Sequence, residues 1–284
     1  MIKDYKMESV KSLEEFQKKF AEICQKWTHN KDGTEVTKIF DRPEFRLWFR
    51  GQADKTYGLK PGVFRNDFIH KSDKNKSIPL NQLILLKERH LFKEFKRRSA
   101  GLIPSNIDDI DLYFLQQHYG MPTRLLDWSS NLLVALFFAV QKYDEKDGLV
   151  FILDSYKLSN NENYGNPSKN NPDLKDSIKI IAEWDDKFKF PKYTFPVSAH
   201  YFDSRMLFQR AGFTFHGEQC NDLQCNDLLG HKNKPINQIC IEGQSKKIIR
   251  NELQLMGIDE FFIYGDLENL SKSLKSLFAG KTLT

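Results

Sequence analysis

Cysteine is scarce. Only Cys24, Cys220, Cys225 and Cys240 occur in 284 residues, and so few thiols at irregular spacing exclude a disulfide-stapled scaffold. Long hydrophobic runs are missing too: the longest wholly apolar stretch, Leu132 to Val140, has nine residues, about half of the ~20 that span a bilayer. No membrane partner is therefore expected. The segment MIKDYKMESVKSLEEF lacks the apolar region of a secretory signal, and the expected location is cytoplasmic. The GxSxG nucleophile elbow, the GxxxxGK[ST] phosphate loop and the HExxH zinc helix are all absent. Three of the cysteines share a segment with two histidines, His216-x3-Cys220-x4-Cys225-x5-His231-x8-Cys240, which are zinc-ligand types. Without a CxxC pair, reduced thiols and no metal are the expectation.

What is present is ordinary for a globular chain: 40% apolar residues, 13% aromatics and 29% charged residues, with no repeat and no marked linker. The expected fold is α+β in one domain, a mixed or antiparallel central sheet with flanking helices. It divides into a helical extension (1–40), a core (41–230) and closing strand and helix elements (231–284). The formal charge of +5 is uneven, since residues 1–100 hold 23 Lys/Arg against 14 Asp/Glu and residues 101–284 hold 20 against 24. Lys87, Arg89, Lys93, Lys96, Arg97 and Arg98 fall on one predicted helix with Leu83, Leu86, Leu91, Phe92 and Phe95. A solvated helix face and an anionic partner such as nucleic acid both account for this.

Periodicity predicts an amphipathic helix over Leu13–Trp27, opened by a Ser12/Glu15 capping box. A half-buried strand follows over Glu44–Gly51, with Phe45, Leu47 and Phe49 turned to the core and Arg46, Trp48 and Arg50 on the other face. Helices are predicted over Leu80–Arg98 and over Asn106–Tyr119, the second capped by Ser105 and closed by Gly120 and Pro122. Thr123–Trp128 reads as a strand. It leads through Ser129/Ser130 into a helix, Asn131–Tyr143, apolar all round and so buried. Then come a central strand (Gly148–Asp154), a long loop (Ser159–Asp176), a helix (Phe202–Arg210) and a strand (Phe213–His216). The closing elements are a strand (Gln238–Glu242), a helix (Ser245–Met256), a strand (Ile258–Tyr264) and a terminal helix (Leu267–Phe278).

The segment Gln116-Gln117-His118-Tyr119-Gly120-Met121-Pro122-Thr123-Arg124-Leu125-Leu126-Asp127-Trp128-Ser129 crowds polar groups between two apolar elements. Each would cost about 1–3 kcal/mol if buried without a partner. They must satisfy one another or a ligand. His118 has the chemistry of an acid or base near neutrality, and the start of the following helix offers amide donors to an anion. In the bland alternative Arg124 and Asp127 pair with each other and the corner carries no chemistry.

Trp48-Phe49-Arg50-Gly51-Gln52, then Tyr57-Gly58-Leu59-Lys60-Pro61 and Phe64-Arg65, the block at 117–140, and Arg205-Met206-Leu207-Phe208-Gln209-Arg210-Ala211-Gly212-Phe213-Thr214 resemble the FRG domain family. Leu132-Leu133 stands where that family often has Pro-Leu. The resemblance implies a bacterial or phage-type cytoplasmic protein with a defence or toxin-like role. A fainter one, to ADP-ribosyltransferases, implies that NAD is the ligand, held by its phosphates on an Arg-Gly of the first core strand and followed by a strand-to-helix unit and a late glutamate. Carried onto this sequence, Arg50, Gln209, Glu218 and Asp127 are the candidate catalytic groups. Arg50, Gly51, Gln52, His118, Thr123, Arg124, Trp128 and Ser129 are the candidate nucleotide-binding groups. Gln209 stands where the glutamate would be, so either weak turnover or help from another carboxylate, such as Asp127 or Glu218, is expected. A protein or nucleic-acid target is the implied partner, and the competing reading is a non-catalytic module that recognises nucleic acid or a nucleotide through the basic first third.

Overall fold

The computed structural model describes residues 9–28, 47–65, 67–69, 78–158, 171–200, 204–217 and 236–278. Glu218, Cys220, Cys225 and His231, with Phe45 and Arg46 at the predicted start of the first strand, lie outside the described residues.

Helix α1 (Leu13–Thr28) precedes β1 (Leu47–Gln52), α2 (Leu80–Ser99), α3 (Asp109–His118), β2 (Leu125–Ser129), α4 (Leu132–Val140), β3 (Gly148–Asp154), α5 (Ser155–Leu158) and α6 (Pro172–Ala182). They are followed by β4 (Thr194–Val197), α7 (Ser204–Phe208), β5 (Ala211–His216), β6 (Ile236–Ile241), α8 (Lys246–Leu255), α9 (Glu260–Tyr264) and α10 (Leu267–Phe278). The six strands form one sheet in the order β4-β5-β2-β1-β3-β6, every neighbouring pair antiparallel. This is the α+β architecture expected, in its antiparallel form.

Strands β1 and β3 are neighbouring interior strands of the sheet, with apolar layers on both faces. On one face Leu47, Phe49, Val150, Ile152, Ile239 and Ile241 pack against α4, α1 and α8; on the other Trp48, Leu126, Trp128, Phe151 and Leu153 meet Leu59, Val63, Phe64 and Ile84. Trp48, expected on the less buried face, is 5% exposed, so β1 is buried on both sides rather than half-buried. A third cluster joins α3 and α6 to β4 and β5 through Leu112, Phe114, Ile178, Phe195, Phe213 and Phe215.

Helix α4 is the apolar element that the sequence announces, and its seating depends on glycine. A Cβ on Gly51 would lie 1.7 Å from the Ala135 carbonyl oxygen, and one on Gly148 would lie 2.5 Å from that of Ala139. Small residues on helix and strands therefore bring the two backbones together. Past the end of α4, the buried Lys246 ammonium donates to the carbonyls of Ala53 (2.6 Å), Lys142 (3.0 Å) and Tyr143 (3.1 Å). Burial pulls the Lys246 pKa down.

Several predicted boundaries move, each for a local reason. Asp108, not Ser105, caps α3, its side chain accepting from the Asp111 amide at 2.7 Å. Asn131, not Ser129 or Ser130, caps α4, accepting from the Leu133 amide at 3.0 Å. Residues 171–182, partly assigned to the long loop, hold α6, opened by Asn171 with Pro172 in its first turn. The predicted strand Ile258–Tyr264 is helix α9, capped by Asp259 and closed by left-handed Gly265. Strand β4, not anticipated, carries Pro196 in its middle, which an edge strand tolerates.

Candidate functional site

Strands β1 and β2 share one matched pair, Phe49 with Ser129. Beyond it the strands part, and the Arg50 guanidinium crosses the gap: Nη1 donates to the main-chain oxygen of Asp127 at 2.6 Å and lies 3.8 Å from the Asp127 carboxylate. A cavity of about 670 Å³ opens at this point, within the size range of ligand pockets. Its walls come from β1 (Phe49, Arg50, Gly51), the end of α3 and the turn after it (Gln117 to Pro122), β2 (Asp127, Trp128, Ser129), α4 (Val134, Ala135, Phe138) and the α7–β5 corner (Arg205, Met206, Gln209, Ala211, Phe213). Gly62, Arg65 and Asp67 complete the lining.

Local sequence explains the placement. Phe49 points into the core, with its ring edge-on to Phe20 at 5.7 Å; Arg50 reaches the cavity; and Gly51 admits the backbone of α4. Three consecutive residues thus supply an anchor, a cation and a close approach. Gly120 turns the chain after α3 with a φ of +76°, the left-handed conformation favoured by glycine.

Three guanidinium groups, Arg50, Arg65 and Arg205, face two carboxylates, Asp67 and Asp127, among the described lining residues. This balance suits an anionic ligand that also carries a cationic or polar part. The Arg205 guanidinium sits over the Tyr264 ring at 5.0 Å. Burial raises the Tyr264 pKa, while Arg205 pulls it the other way. The Asp127 side chain is 53% exposed and that of Arg50 17%, so the carboxylate is open to a ligand while the arginine is partly shielded. Gln117 Nε2 donates to Asp127 Oδ2 at 2.8 Å.

Of the residues singled out by the sequence, Arg50, Gly51, His118, Asp127, Trp128, Ser129 and Gln209 line this one cavity. Gln52, Thr123 and Arg124 do not. Gln52 is buried and donates to the Gly58 oxygen at 3.2 Å. Arg124 is 3% exposed and pairs with Glu88 at 2.8 Å, donates to the Gly217 oxygen at 2.9 Å and lies 3.8 Å from the centre of the Phe190 ring. The alternative in which Arg124 and Asp127 pair with each other is therefore not what forms. Ser129 and Gln209 are also engaged internally: the Ser129 hydroxyl donates to the Gln209 main-chain oxygen at 2.5 Å and accepts from the Asn131 amide, and Gln209 Nε2 donates to the Ile263 oxygen. Trp128 is 3% exposed, and its Nε1 donates to Thr214 Oγ1 at 3.0 Å, which fixes the indole within the core.

Gln117, Arg65 and Arg205 line the cavity although none of them is among the candidates drawn from residue order; all three stand in the motif blocks quoted above. The basic helix is largely engaged with its own surroundings. Arg97 and Arg98 bind Glu94, Lys96 binds Asp109, and Arg89 donates to the Ile180 oxygen and to Asp186. His216 is buried with its ring nitrogens near Thr194 and Thr214, and no group of three or more His, Cys, Asp or Glu side chains able to hold a metal occurs among the described residues. No helix among the described residues is long and apolar enough to cross a membrane.

The FRG domain family model matches residues 45–148, a stretch that contributes Arg50, the α3–β2 connection, β2 and α4 to the cavity. No curated protein and no solved structure matches the chain.

Proposed function

The chain carries an FRG domain over residues 45–148, and on that premise we propose that the cavity binds NAD and uses it as an ADP-ribosyltransferase does. The observation that carries the reading is the juxtaposition of Arg50 and Asp127. A shielded guanidinium and an exposed carboxylate 3.8 Å apart stand among Trp128, Phe138 and Phe213 in one cavity. Arg50, with Arg65 and Arg205 in the same lining, supplies planar, charge-assisted donors to a pyrophosphate. Phe138, only partly buried, supplies apolar surface for an aromatic base.

Breaking the bond between nicotinamide and ribose builds positive charge on the ribose. A fixed carboxylate close to that charge stabilises the transition state more than the ground state. Gln209 is neutral and its amide nitrogen is committed to the Ile263 oxygen, so in this reading the carboxylate is Asp127. His118, also in the wall, is within the same cavity as a proton acceptor for an incoming nucleophile. A cytoplasmic role in bacterial defence, implied by the family resemblance, belongs to this proposal.

The test is titration of the full chain with NAD by calorimetry, beside chromatographic assay of nicotinamide release with protein and nucleic-acid acceptors present. Binding that weakens at least about tenfold in Arg50→Ala is the expected result, since one charge-assisted contact is worth about 1.5–3 kcal/mol. Absence of both binding and release in the wild-type chain overturns it.

A further inference from the structure

Behind Asp127 runs a chain of hydrogen bonds whose direction is fixed at its outer end. Gln117 Nε2 donates to Asp127 Oδ2 at 2.8 Å. A carboxylate oxygen accepts, so the amide oxygen is the end of Gln117 turned inward. That oxygen accepts the Thr123 hydroxyl proton at 2.5 Å, and Thr123 Oγ1 in turn accepts from the Leu125 main-chain N–H at 3.0 Å.

Thr123 is fully buried and does not line the cavity, whereas Gln117 and Asp127 do. The chain therefore leads from the interior outward to a half-exposed carboxylate. An exposed aspartate needs no such support for stability, because a solvated polar contact contributes little and ordering side chains costs entropy. What the chain adds is a fixed orientation. On its main-chain side the same aspartate is held by Arg50, so the cavity's guanidinium and its carboxylate form one rigid unit.

Resting on the reading of the cavity as an NAD site, we propose that Thr123 and Gln117 are positioning residues that aim the Asp127 carboxylate at the ligand. Thr123, a candidate ligand contact from sequence alone, acts through Gln117 instead of touching the ligand. The relay serves the step in which positive charge develops, and it leaves phosphate binding to Arg50.

The experiment compares Thr123→Val, Thr123→Ser and Gln117→Leu with wild type in the full chain. Three readouts are taken: nicotinamide release from NAD, affinity for ADP-ribose, and protection of the Gln117 side-chain amide protons by NMR. ADP-ribose carries the phosphates without the cationic ring. Thr123→Val and Gln117→Leu should lower the turnover number by roughly ten- to a hundredfold, the cost of misplacing a reacting group, with ADP-ribose affinity within about twofold of wild type. Thr123→Ser, which keeps the hydroxyl, should restore turnover, and the amide should be protected in wild type and Thr123→Ser but not in Thr123→Val. Equal weakening of turnover and ADP-ribose binding would make the role merely structural and overturn the proposal, as would wild-type turnover in Thr123→Val. The NMR readout needs no ligand. If the wild-type chain binds neither NAD nor ADP-ribose, the NAD reading and the positioning role both fall, and a protected amide would then leave a purely structural hydrogen-bond chain; an unprotected amide in a wild-type chain that does bind NAD removes the relay alone.

Discussion

Arg50 reaches across the gap between β1 and β2 to the main-chain oxygen of Asp127 at 2.6 Å, while the side chain of that same aspartate stands 3.8 Å away. One contact belongs to the fold and the other to the cavity, and substitution separates them. Asp127→Asn keeps the main-chain acceptor, so its unfolding free energy should stay within about 0.5 kcal/mol of wild type, while nicotinamide release falls by about a hundredfold or more. Arg50→Ala removes the cross-strand bond and should cost about 1.5–3 kcal/mol in addition to NAD affinity. Urea unfolding beside the release assay measures both, and an Asp127→Asn chain that still turns over would remove the carboxylate from the proposed chemistry.

Gly51 is the tightest point of the helix–sheet packing, since a methyl group there would stand 1.7 Å from the Ala135 carbonyl oxygen. Backbone cannot rotate away as a side chain does. Gly51→Ala must push α4 off β1, and a loss of about 3 kcal/mol is expected. Gly101→Ala, with nothing within 4 Å of the added atom, is the control and should unfold within about 0.5 kcal/mol of wild type. Equal melting of the two variants would show that α4 is not seated as described.

Much of this was legible in residue order because the signals were long or chemically distinctive. The apolar run of α4, the strand Gly148–Asp154 and the terminal helix Leu267–Phe278 coincide with the structure or nearly so. Failures came where a short apolar run has no period of its own: Phe261, Phe262 and Ile263 fit a strand or a helix equally, and Asp259 with Gly265 decides for the helix. In the cavity the sequence pointed to Arg50, Asp127 and Trp128 but also to Arg124, because polarity in a motif does not reveal its partner. Glu88, which takes up Arg124, lies on a different helix 36 residues away.

The Glu88–Arg124 pair gives a prediction independent of any ligand. Both side chains are almost fully buried, 2% and 4% exposed, and the Tyr113 hydroxyl joins them, donating to Glu88 Oε1 at 2.7 Å and accepting from the Arg124 amide at 2.7 Å. Burial drives the Tyr113 pKa well up, and the hydroxyl remains a donor. Glu88→Ala strands a guanidinium in the interior and should cost about 3–5 kcal/mol. Replacing both partners, as in Glu88→Leu with Arg124→Met, should recover most of that loss, because no unpaired charge remains. A double-mutant cycle by urea unfolding checks it; additive losses would mean that the two charges do not depend on each other.

Acid sensitivity should trace to the far end of β1. Asp54 accepts from Lys146 at 2.7 Å and from the Thr56 hydroxyl and amide at 2.7 and 2.9 Å. The Lys146 hydrogen bond first, then those from Thr56, lower its pKa from 3.8 to about 2. Because the folded chain holds this carboxyl more acidic than the unfolded chain does, the contribution of Asp54 to stability is complete above about pH 4 and is lost as pH falls through about 2. Asp54→Asn should therefore be less stable than wild type near neutrality, and the difference should close as pH drops through that window. Asp147, whose pKa is lowered chiefly by Lys55, is present in both chains and largely cancels in the comparison. Urea midpoints collected between about pH 5 and about pH 2 test it, and a difference that stays constant down to the lowest pH would show that the Asp54 carboxylate is not held by Lys146 and Thr56.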